Sequence, residues 1–262
     1  MTDTGATATG APADGTQRRV ALVTGAASGV GACIAAALHG AGYRVAVTDL
    51  DAAAANTVAA HLDPSADTAF GLALDVREKP AFEHALAALL ARWGAAHVLV
   101  NNAAMTVARP VMEIPPEEFD AVMAVNVRGT FLGCQVFGTH FRAQGHGRIV
   151  NMASLAGQNG GTATGAHYAA SKGAIMTLTK VFARDLAAGG VTVNAVAPGP
   201  LDTPMVHRTV PAERMGAMRA AIPVGEIGDP RFVASLVVQL ASPEAAFTTG
   251  ATWDVNGGLY MR

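Results

Sequence analysis

A tyrosine and a lysine four residues apart are the clearest candidates for proton-transfer chemistry in this sequence. They are Tyr168 and Lys172, in the segment YAASK. In a helix, residues at this spacing lie one turn apart on the same face. A phenol has a reference pKa near 10 and is a poor base at neutral pH, but a neighbouring ammonium favours the phenolate. The same spacing also arises on solvated helix faces, so the pair needs support from other residues.

Ser154 provides that support. It ends the segment NMAS, directly after a stretch that reads as a strand. Its hydroxyl could hold a substrate oxygen while Tyr168 donates or removes the proton. The loop between them, Leu155–His167, is rich in glycine and leaves room above the site. The alternative is a serine that caps a helix or a turn.

A glycine-rich turn, TGAASGVG at Thr24–Gly31, follows the first predicted strand and opens a helix. Glycines in this position allow a tight turn and a close approach of the backbone to a pyrophosphate, which the helix N-terminus then binds. An ordinary strand-to-helix turn is the alternative, but the context favours a dinucleotide site. The predicted cofactor contacts in the turn are Gly25, Ser28, Gly29, Val30 and Gly31.

Asp49 ends the second predicted strand, close to the roughly 20 residues after the last glycine at which an acid binds the adenosine ribose. A carboxylate accepts hydrogen bonds from both ribose hydroxyls and repels a 2′-phosphate. The glycine-rich turn holds Ser28, and the residue after Asp49 is Leu50, so neither of these two positions carries a cation. The sequence therefore predicts NAD(H) as the cofactor in preference to NADP(H). A solvated aspartate at a strand end is the alternative.

Two further strand ends carry candidate cofactor contacts. Asp75 and Val76 follow the third predicted strand, and the segment NNAA, with Asn102, Ala103 and Ala104, follows the fourth. Small residues there let the backbone run close to a flat ring. Asp75 could accept the adenine amino group, although a turn-forming aspartate is nearly as good an explanation.

Apolar runs that alternate with amphipathic segments must position these residues. The predicted strands are Val20–Thr24, Arg44–Thr48, Ala69–Leu74, His97–Asn101, Arg148–Met152, Val191–Val196 and Thr252–Val255, and the predicted helices are Val30–Ala41, Ala52–Leu62, Ala81–Arg92, Phe119–Ala143, Tyr168–Leu186 and Pro230–Leu240. This order predicts an α/β fold: a doubly wound, Rossmann-like parallel sheet with helices on both faces. We expect a flexible tail over residues 1–18 and one catalytic domain over 19–262.

Composition excludes several functions. The 262 residues hold 18 basic and 20 acidic side chains, so no nucleic-acid partner is predicted. The most apolar stretch, Ala85–Val100, is interrupted by Arg92 and His97 and is too short for a membrane span. The histidines suggest no metal cluster, and the two distant cysteines, Cys33 and Cys134, suit a reducing cytoplasmic setting.

Together these motifs resemble the short-chain dehydrogenase/reductase family. The match rests on TGxxxGxG at Thr24–Gly31, NNAA at Asn101–Ala104, Asn126 in NVRGTF, Ser154, YxxxK at Tyr168–Lys172, and PGPLDT at Pro198–Thr203. It covers nearly the whole chain from Arg19, and within the family it is most similar to 3-oxoacyl-thioester reductases and secondary-alcohol dehydrogenases.

The resemblance implies a catalytic tetrad of Asn126, Ser154, Tyr168 and Lys172. By it, Tyr168 is the acid or base, Ser154 orients the substrate oxygen, Lys172 lowers the tyrosine pKa and holds the nicotinamide ribose, and Asn126 anchors a proton-relaying water. For Asn126, an interior polar residue satisfied by backbone groups is the alternative. The resemblance also places Pro198, Gly199 and Leu201 against the nicotinamide, and Thr203 near its carboxamide or the pyrophosphate.

This sequence departs from the usual family pattern in three places. NNAA replaces NNAG, a single serine follows Ala153 where a pair is common, and the segment from Ser154 to Tyr168 is a residue longer than is frequent. None of these changes removes a reacting group.

The expected function is interconversion of a secondary alcohol and a ketone, and a 3-hydroxyacyl/3-oxoacyl thioester pair is one candidate substrate. The resemblance places a substrate lid at about residues 204–224, where Met205, Met215 and Met218 either contact an apolar substrate or simply pack. Arg208, Arg214 and Arg219 either meet a phosphate-bearing carrier arm or form a solvated face. A nucleotide-binding regulator without catalysis is the alternative function.

Assembly into a homodimer or homotetramer is expected by analogy. The two long helical segments have apolar residues around much of their circumference, more than one sheet face needs. These are Phe131, Leu132, Val136 and Phe137 in the first, and Ile175, Leu178, Val181 and Phe182 in the second.

Overall fold

The computed structural model describes residues 18–161, 164–203, 206 and 212–262. The predicted tail, apart from Arg18, lies outside these residues. Seven strands form one parallel sheet: β1 (Val20–Thr24), β2 (Arg44–Asp49), β3 (Ala69–Ala73), β4 (Val98–Asn101), β5 (Gly147–Met152), β6 (Val191–Pro198) and β7 (Thr252–Val255). Their order is β3-β2-β1-β4-β5-β6-β7. The order in which successive strands are added to the sheet thus reverses between β1 and β4, the point at which open α/β sheets bind their ligands.

The helices cover both faces of the sheet, as predicted. They are α1 (Gly29–Gly40), α2 (Ala52–Leu62), α3 (Lys79–Trp93), α4 (Pro116–Met123), α5 (Gly129–Gln144), α6 (Ala156–Asn159), α7 (Ala166–Leu186), α8 (Ala212–Ala221) and α9 (Pro230–Ala241). One buried cluster joins α1, α2 and α9 to the sheet through residues such as Ile34 and Val233. The other joins α3, α5 and α7 to the opposite face through residues such as Phe82, Phe137 and Leu186. The doubly wound α/β architecture is confirmed.

The predicted single helix Phe119–Ala143 is wrong in detail. The helical segment starts at Pro116, and a π-helical turn at Ala124–Arg128 separates α4 from α5. The Thr130 hydroxyl, at the start of α5, donates to the Asn126 carbonyl of this turn at 2.8 Å. A single π-turn departs from the 3.6-residue period over only a few residues, which is too short a stretch to be recognised from hydrophobic periodicity.

Among the described residues, none of the helices combines the length and the apolar character that a membrane crossing needs.

Candidate active site

A cavity of about 780 Å³ opens at the carboxyl edge of the sheet, beyond β1, β2, β4, β5 and β6. This volume lies within the usual range of small-molecule and cofactor sites. Its wall includes every residue predicted to contact a cofactor, together with Ser154. These are Gly25, Ser28, Gly29, Val30, Gly31, Asp49, Leu50, Asp75, Val76, Asn102, Ala103, Ala104, Tyr168, Lys172, Pro198, Gly199, Leu201 and Thr203.

The glycine-rich turn at the cavity requires glycine for two different reasons. Gly25 and Gly29 have φ of +61° and +57°, in the left-handed region that other residues avoid. Gly31 has no such angle, but a Cβ atom there would overlap the Gly25 carbonyl oxygen and crowd the Asn102 amide nitrogen. The turn is therefore compact, and helix α1 begins at Gly29 with its N-terminus at the cavity. Such a cradle fits a pyrophosphate.

Side chains from β1 and β4 fix this turn, and the sequence analysis assigned them no such role. The Asn102 amide donates to the Thr24 and Gly25 carbonyls, both at 2.9 Å. The Thr24 hydroxyl accepts the backbone N–H groups of Asn102 and Ala103, both at 3.0 Å. Asn102 thus acts by holding the turn in shape. An asparagine after a strand offered no sequence signal for this contact.

The acidic residues lie where the strand ends predict. Asp49 ends β2, lines the cavity and accepts the Ala27 N–H at 3.2 Å. Asp75 also lines the cavity, but its carboxylate is paired with the guanidinium of Arg77, with a shortest distance of 2.6 Å. Arg77 is itself part of the cavity wall. The prediction of NAD(H) considered only the positions beside Asp49 and did not count this cation.

Ser154, Tyr168 and Lys172 converge on one end of the cavity. Backbone bonds from Ala153 to Val196 and from Leu155 to Pro198, at 2.8 and 2.9 Å, hold the Ser154 segment beside β6. The Ser154 hydroxyl oxygen accepts the Ala156 N–H at 3.1 Å, and the same side chain is hydrogen-bonded to Tyr168. Because this contact favours the phenolate, the single hydroxyl hydrogen of Ser154 faces the Tyr168 oxygen, and Ser154 can hold a substrate oxygen by turning that hydrogen toward it.

Lys172 is almost fully buried next to the ring of Tyr168. Its side chain is 2% exposed, and Nζ lies 5.5 Å from the centre of the Tyr168 ring. Nζ donates to the Met152 carbonyl at the end of β5, at 2.6 Å. The predicted placement of the pair on one helix face is thus correct.

The pKa shifts at this end of the cavity differ in part from expectation. Burial lowers the pKa of Lys172 to about 8. Burial also raises the pKa of Tyr168 above its ordinary value, while the Ser154 hydrogen bond partly opposes that rise. Among the groups of the chain itself, removing the phenolate from water outweighs the Ser154 hydrogen bond. The expectation of a lowered tyrosine pKa also counts the positive nicotinamide ring, and it stays a prediction.

Asn126 lies behind this group and does not form part of the cavity wall. It is fully buried: its amide accepts the Met105 N–H at 2.7 Å and donates to the Met105 carbonyl at 3.0 Å and to the Ser171 hydroxyl at 2.9 Å. Ser171 in turn donates to the Tyr168 carbonyl at 2.7 Å. The Asn126 side chain is therefore satisfied structurally, as the alternative reading held, and it links the loop after β4 to helix α7.

A partly buried cluster of a histidine, a carboxylate and an arginine beside this loop was not foreseen. His167, fully buried and adjacent to Tyr168, donates from Nε2 to the Glu118 carboxylate at 3.1 Å. Arg109 pairs with the same carboxylate at 2.9 Å, and the Gly165 N–H donates to the Val107 carbonyl at 3.1 Å. These contacts fasten the loop after β4 to the start of α7. The pairing depends on tertiary structure, so the three sequence positions gave no indication of it.

The predicted lid is described only in part. Val206 and Met218 line the cavity. Met205 and Arg208 lie outside the described residues, and Arg214 and Arg219 are exposed. Met215 is half-buried and is not part of the cavity wall.

Within the described part of the chain, no group of three or more histidine, cysteine, aspartate or glutamate side chains is arranged to hold a metal ion.

Comparison with known proteins identifies the family to which the chain belongs. Residues 25–260 match the family model described as enoyl-(acyl carrier protein) reductase. The chain belongs to the short-chain dehydrogenase/reductase family, whose members use nicotinamide cofactors, and it is an oxidoreductase of that family.

Several characterised relatives are similar over nearly their whole length. The chain is 39% identical to a 3-oxoacyl-[acyl-carrier-protein] reductase of Vibrio cholerae, over 93% of this chain and 98% of the relative. It is 42% identical to the 2-(R)-hydroxypropyl-CoM dehydrogenase of Xanthobacter autotrophicus, over 91% and 97%. It is 36% identical to a sorbitol dehydrogenase of Cereibacter sphaeroides, over 93% and 98%. Relatives at similar identity thus act on different substrates.

Proposed function

We propose that this protein is an NAD(H)-dependent oxidoreductase that interconverts a secondary alcohol and a ketone, with Tyr168 as the acid or base. The observation that carries the proposal is that Ser154, Tyr168 and Lys172 meet at one end of the same cavity into which the glycine-rich turn opens. A nicotinamide cofactor held by the residues of the cavity wall would supply the hydride chemistry and, in its oxidised form, a positive charge.

The residues of the chain handle the proton. Ser154 holds the substrate oxygen by turning its one hydroxyl hydrogen from the Tyr168 oxygen to the substrate, which places the substrate oxygen within reach of the Tyr168 hydroxyl. Tyr168 gives its proton to a ketone oxygen or takes one from an alcohol. Lys172, an ammonium below pH 8 by its lowered pKa, uses one N–H on Met152 and keeps two for the cofactor ribose. Asn126 is proposed to anchor a relay water behind Lys172, and it can do so only as an acceptor, since its two amide hydrogens are used by Met105 and Ser171.

The preference for NAD(H) rests on Asp49. Its carboxylate stands at the end of β2 on the cavity wall, where it can accept hydrogen bonds from both ribose hydroxyls and repel a 2′-phosphate. An NAD preference favours oxidation as the direction of use. The substrate is either a 3-hydroxyacyl thioester or a simpler secondary alcohol or polyol, in keeping with the printed activities of the relatives.

The proposal is tested by replacing Tyr168 with phenylalanine and Ser154 with alanine. Turnover with NAD should fall by about 10²–10⁴-fold or more in each variant, since each removes a group that acts only in the reaction. The dissociation constant for NADH, measured by fluorescence titration, should change little. Substrates come from a panel of 3-hydroxyacyl thioesters, polyols and simple secondary alcohols.

The control is Tyr43→Phe. Tyr43 is buried, its hydroxyl donates to the Ala241 carbonyl at the end of α9, and neither residue is part of the cavity wall. This variant should keep its turnover. Undiminished turnover in Tyr168→Phe would contradict the proposed role, and tighter binding of NADPH than of NADH would contradict the cofactor preference.

Assembly into a dimer or tetramer is also proposed, on a smaller set of residues than the sequence implied. Val136, Phe137 and Ile175 are buried in the core of the subunit itself. Phe131 and Val181 are 39% and 44% exposed and remain to be covered. Light scattering should give a mass at least twice that of the chain, and a monomer would contradict the assignment.

A further inference from the structure

The adenosine end of the cavity holds an ion pair that the proposed cofactor site does not need. Asp75 lies two residues after β3, and β3 pairs with β2 up to Asp49. Both acids line the same cavity, and so does Arg77. The Asp75 side chain is 26% exposed and the Arg77 side chain 48%. The pair is therefore reachable by a ligand that enters the cavity.

Arg77 occupies both oxygens of the Asp75 carboxylate. Its backbone N–H and its Nε–H reach Oδ1 at 3.0 and 2.9 Å. Its Nε and Nη2 groups reach Oδ2 at 3.1 and 2.6 Å. The Nε–H is shared between the two oxygens, so three N–H groups make these contacts and take up most of the about four acceptor sites of the carboxylate. The bidentate geometry also fixes the orientation of the guanidinium.

This pairing changes which substituent at position 6 of a purine base the site can bind. An unpaired Asp75 would accept a hydrogen bond from a 6-amino group and repel a 6-oxo group. With Arg77 in place the negative charge is compensated, and the Nη1 group, which does not bond to Asp75, can donate to an oxygen. The paired site is therefore suited to either substituent.

We propose that Arg77 is a specificity-determining residue of the cofactor site: by pairing with Asp75 it relaxes selection for the amino group of adenine. The proposal rests on the proposed function, because it takes the cavity to be a dinucleotide site. Arg128, at the end of the π-turn, also favours the ionised form of Asp75. Asp75 therefore stays a charged acceptor when Arg77 is removed.

The test compares the dissociation constants of NADH and of reduced nicotinamide hypoxanthine dinucleotide, in which a 6-oxo group replaces the 6-amino group. Both are measured by fluorescence titration of the full chain, without turnover. The wild-type protein should bind the two within about threefold of each other. In Arg77→Met the preference for NADH should rise to about tenfold or more, as expected for a freed hydrogen bond to a charged group.

Two further variants make the comparison specific. In the double variant Arg77→Met, Asp75→Ala the ratio should return to the wild-type value, because the acceptor is gone. Lys79→Met removes the same charge two residues away, from an exposed side chain outside the cavity wall, and should leave the ratio unchanged. Arg77→Gln serves as a second single variant should Arg77→Met fold poorly.

A ratio in Arg77→Met equal to that of the wild type would overturn the inference, as would a wild-type protein that already prefers NADH tenfold. Either result leaves the proposed oxidoreductase function intact. A protein that binds neither dinucleotide would overturn the proposed function and this inference with it. If only the 2′-phosphorylated cofactors bind, the NAD preference fails, and the same ratio is measured with their reduced adenine and hypoxanthine forms.

Discussion

Replacing Lys172 with methionine should make the protein more stable while it removes activity. Lys172 is almost fully buried, and burial lowers its pKa from 10.5 to about 8. Between these values the unfolded chain binds more protons than the folded chain, so stability rises with pH through this window. At about 1.4 kcal/mol per pH unit, the buried ammonium costs about 3 kcal/mol of folding free energy below pH 8.

Methionine removes this cost and introduces a smaller one. The Met152 carbonyl, which accepts from Nζ at 2.6 Å, loses its donor, at a cost of about 1 kcal/mol. We therefore expect Lys172→Met to be more stable than the wild type by about 2 kcal/mol at pH 7, with the advantage gone by pH 10.5.

The assay is urea unfolding of both proteins at several pH values from 6.5 to 10.5, analysed as the difference between them so that other titrating groups cancel. Lys180→Met is the matched control, since Lys180 is exposed on the same helix. It should differ from the wild type by less than about 0.5 kcal/mol at every pH. A Lys172→Met protein less stable than the wild type at pH 7, or a difference that does not vary with pH, would refute the reasoning.

Other regions of the structure give three more predictions. Burial lowers the pKa of His97 to about 4, so between pH 6.5 and 4 the unfolded chain binds more protons than the folded chain. In acid unfolding over this window, the wild type should lose about 1–2 kcal/mol more stability than His97→Asn, a figure reduced for the partial exposure of the ring. Gly31→Ala should abolish measurable NADH binding and destabilise the fold by about 1–3 kcal/mol, because its methyl group overlaps the turn. The control Gly40→Ala, in the same helix with open space around it, should be stabilising by up to about 1 kcal/mol, and equal effects would contradict the assigned packing. Burial raises the pKa of Cys134 to about 12 and the side chain is inaccessible, so a thiol reagent should label only Cys33 among the two free cysteines in the native protein and both after denaturation.

Much of the fold and the location of the site followed from the sequence, because both depend on local pattern. The limits of β1, α2 and β7 agree with their predicted ranges. In a parallel sheet all carboxyl ends lie at one edge, so residues that follow different strands are brought together whatever the loops between them do. This explains why Asp49, Ser154 and Pro198, from three strands, line one cavity.

The contacts that support the site did not follow from the sequence, because each joins side chains that only tertiary structure brings together. The Asn102 amide could equally have faced the cofactor instead of the Gly25 carbonyl. Asp75 offered the same carboxylate to an adenine or to an arginine two residues away. Similarly, the π-turn that contains Asn126 is too short to be recognised from hydrophobic periodicity.

The two pKa shifts at the reacting end of the cavity explain why the tyrosine needs several partners. Burial favours the uncharged form of each group, raising the pKa of Tyr168 and lowering that of Lys172. Left to burial alone, the lysine would lose its proton at a lower pH than the tyrosine, and no phenolate would form near neutrality. The hydrogen bond from Ser154 and the Met152 carbonyl, which accepts from the ammonium, both oppose this order. Under the proposed function, a protonated Tyr168 is therefore the form that would give a proton to a ketone, whereas taking a proton from an alcohol would need added positive charge beside the phenol.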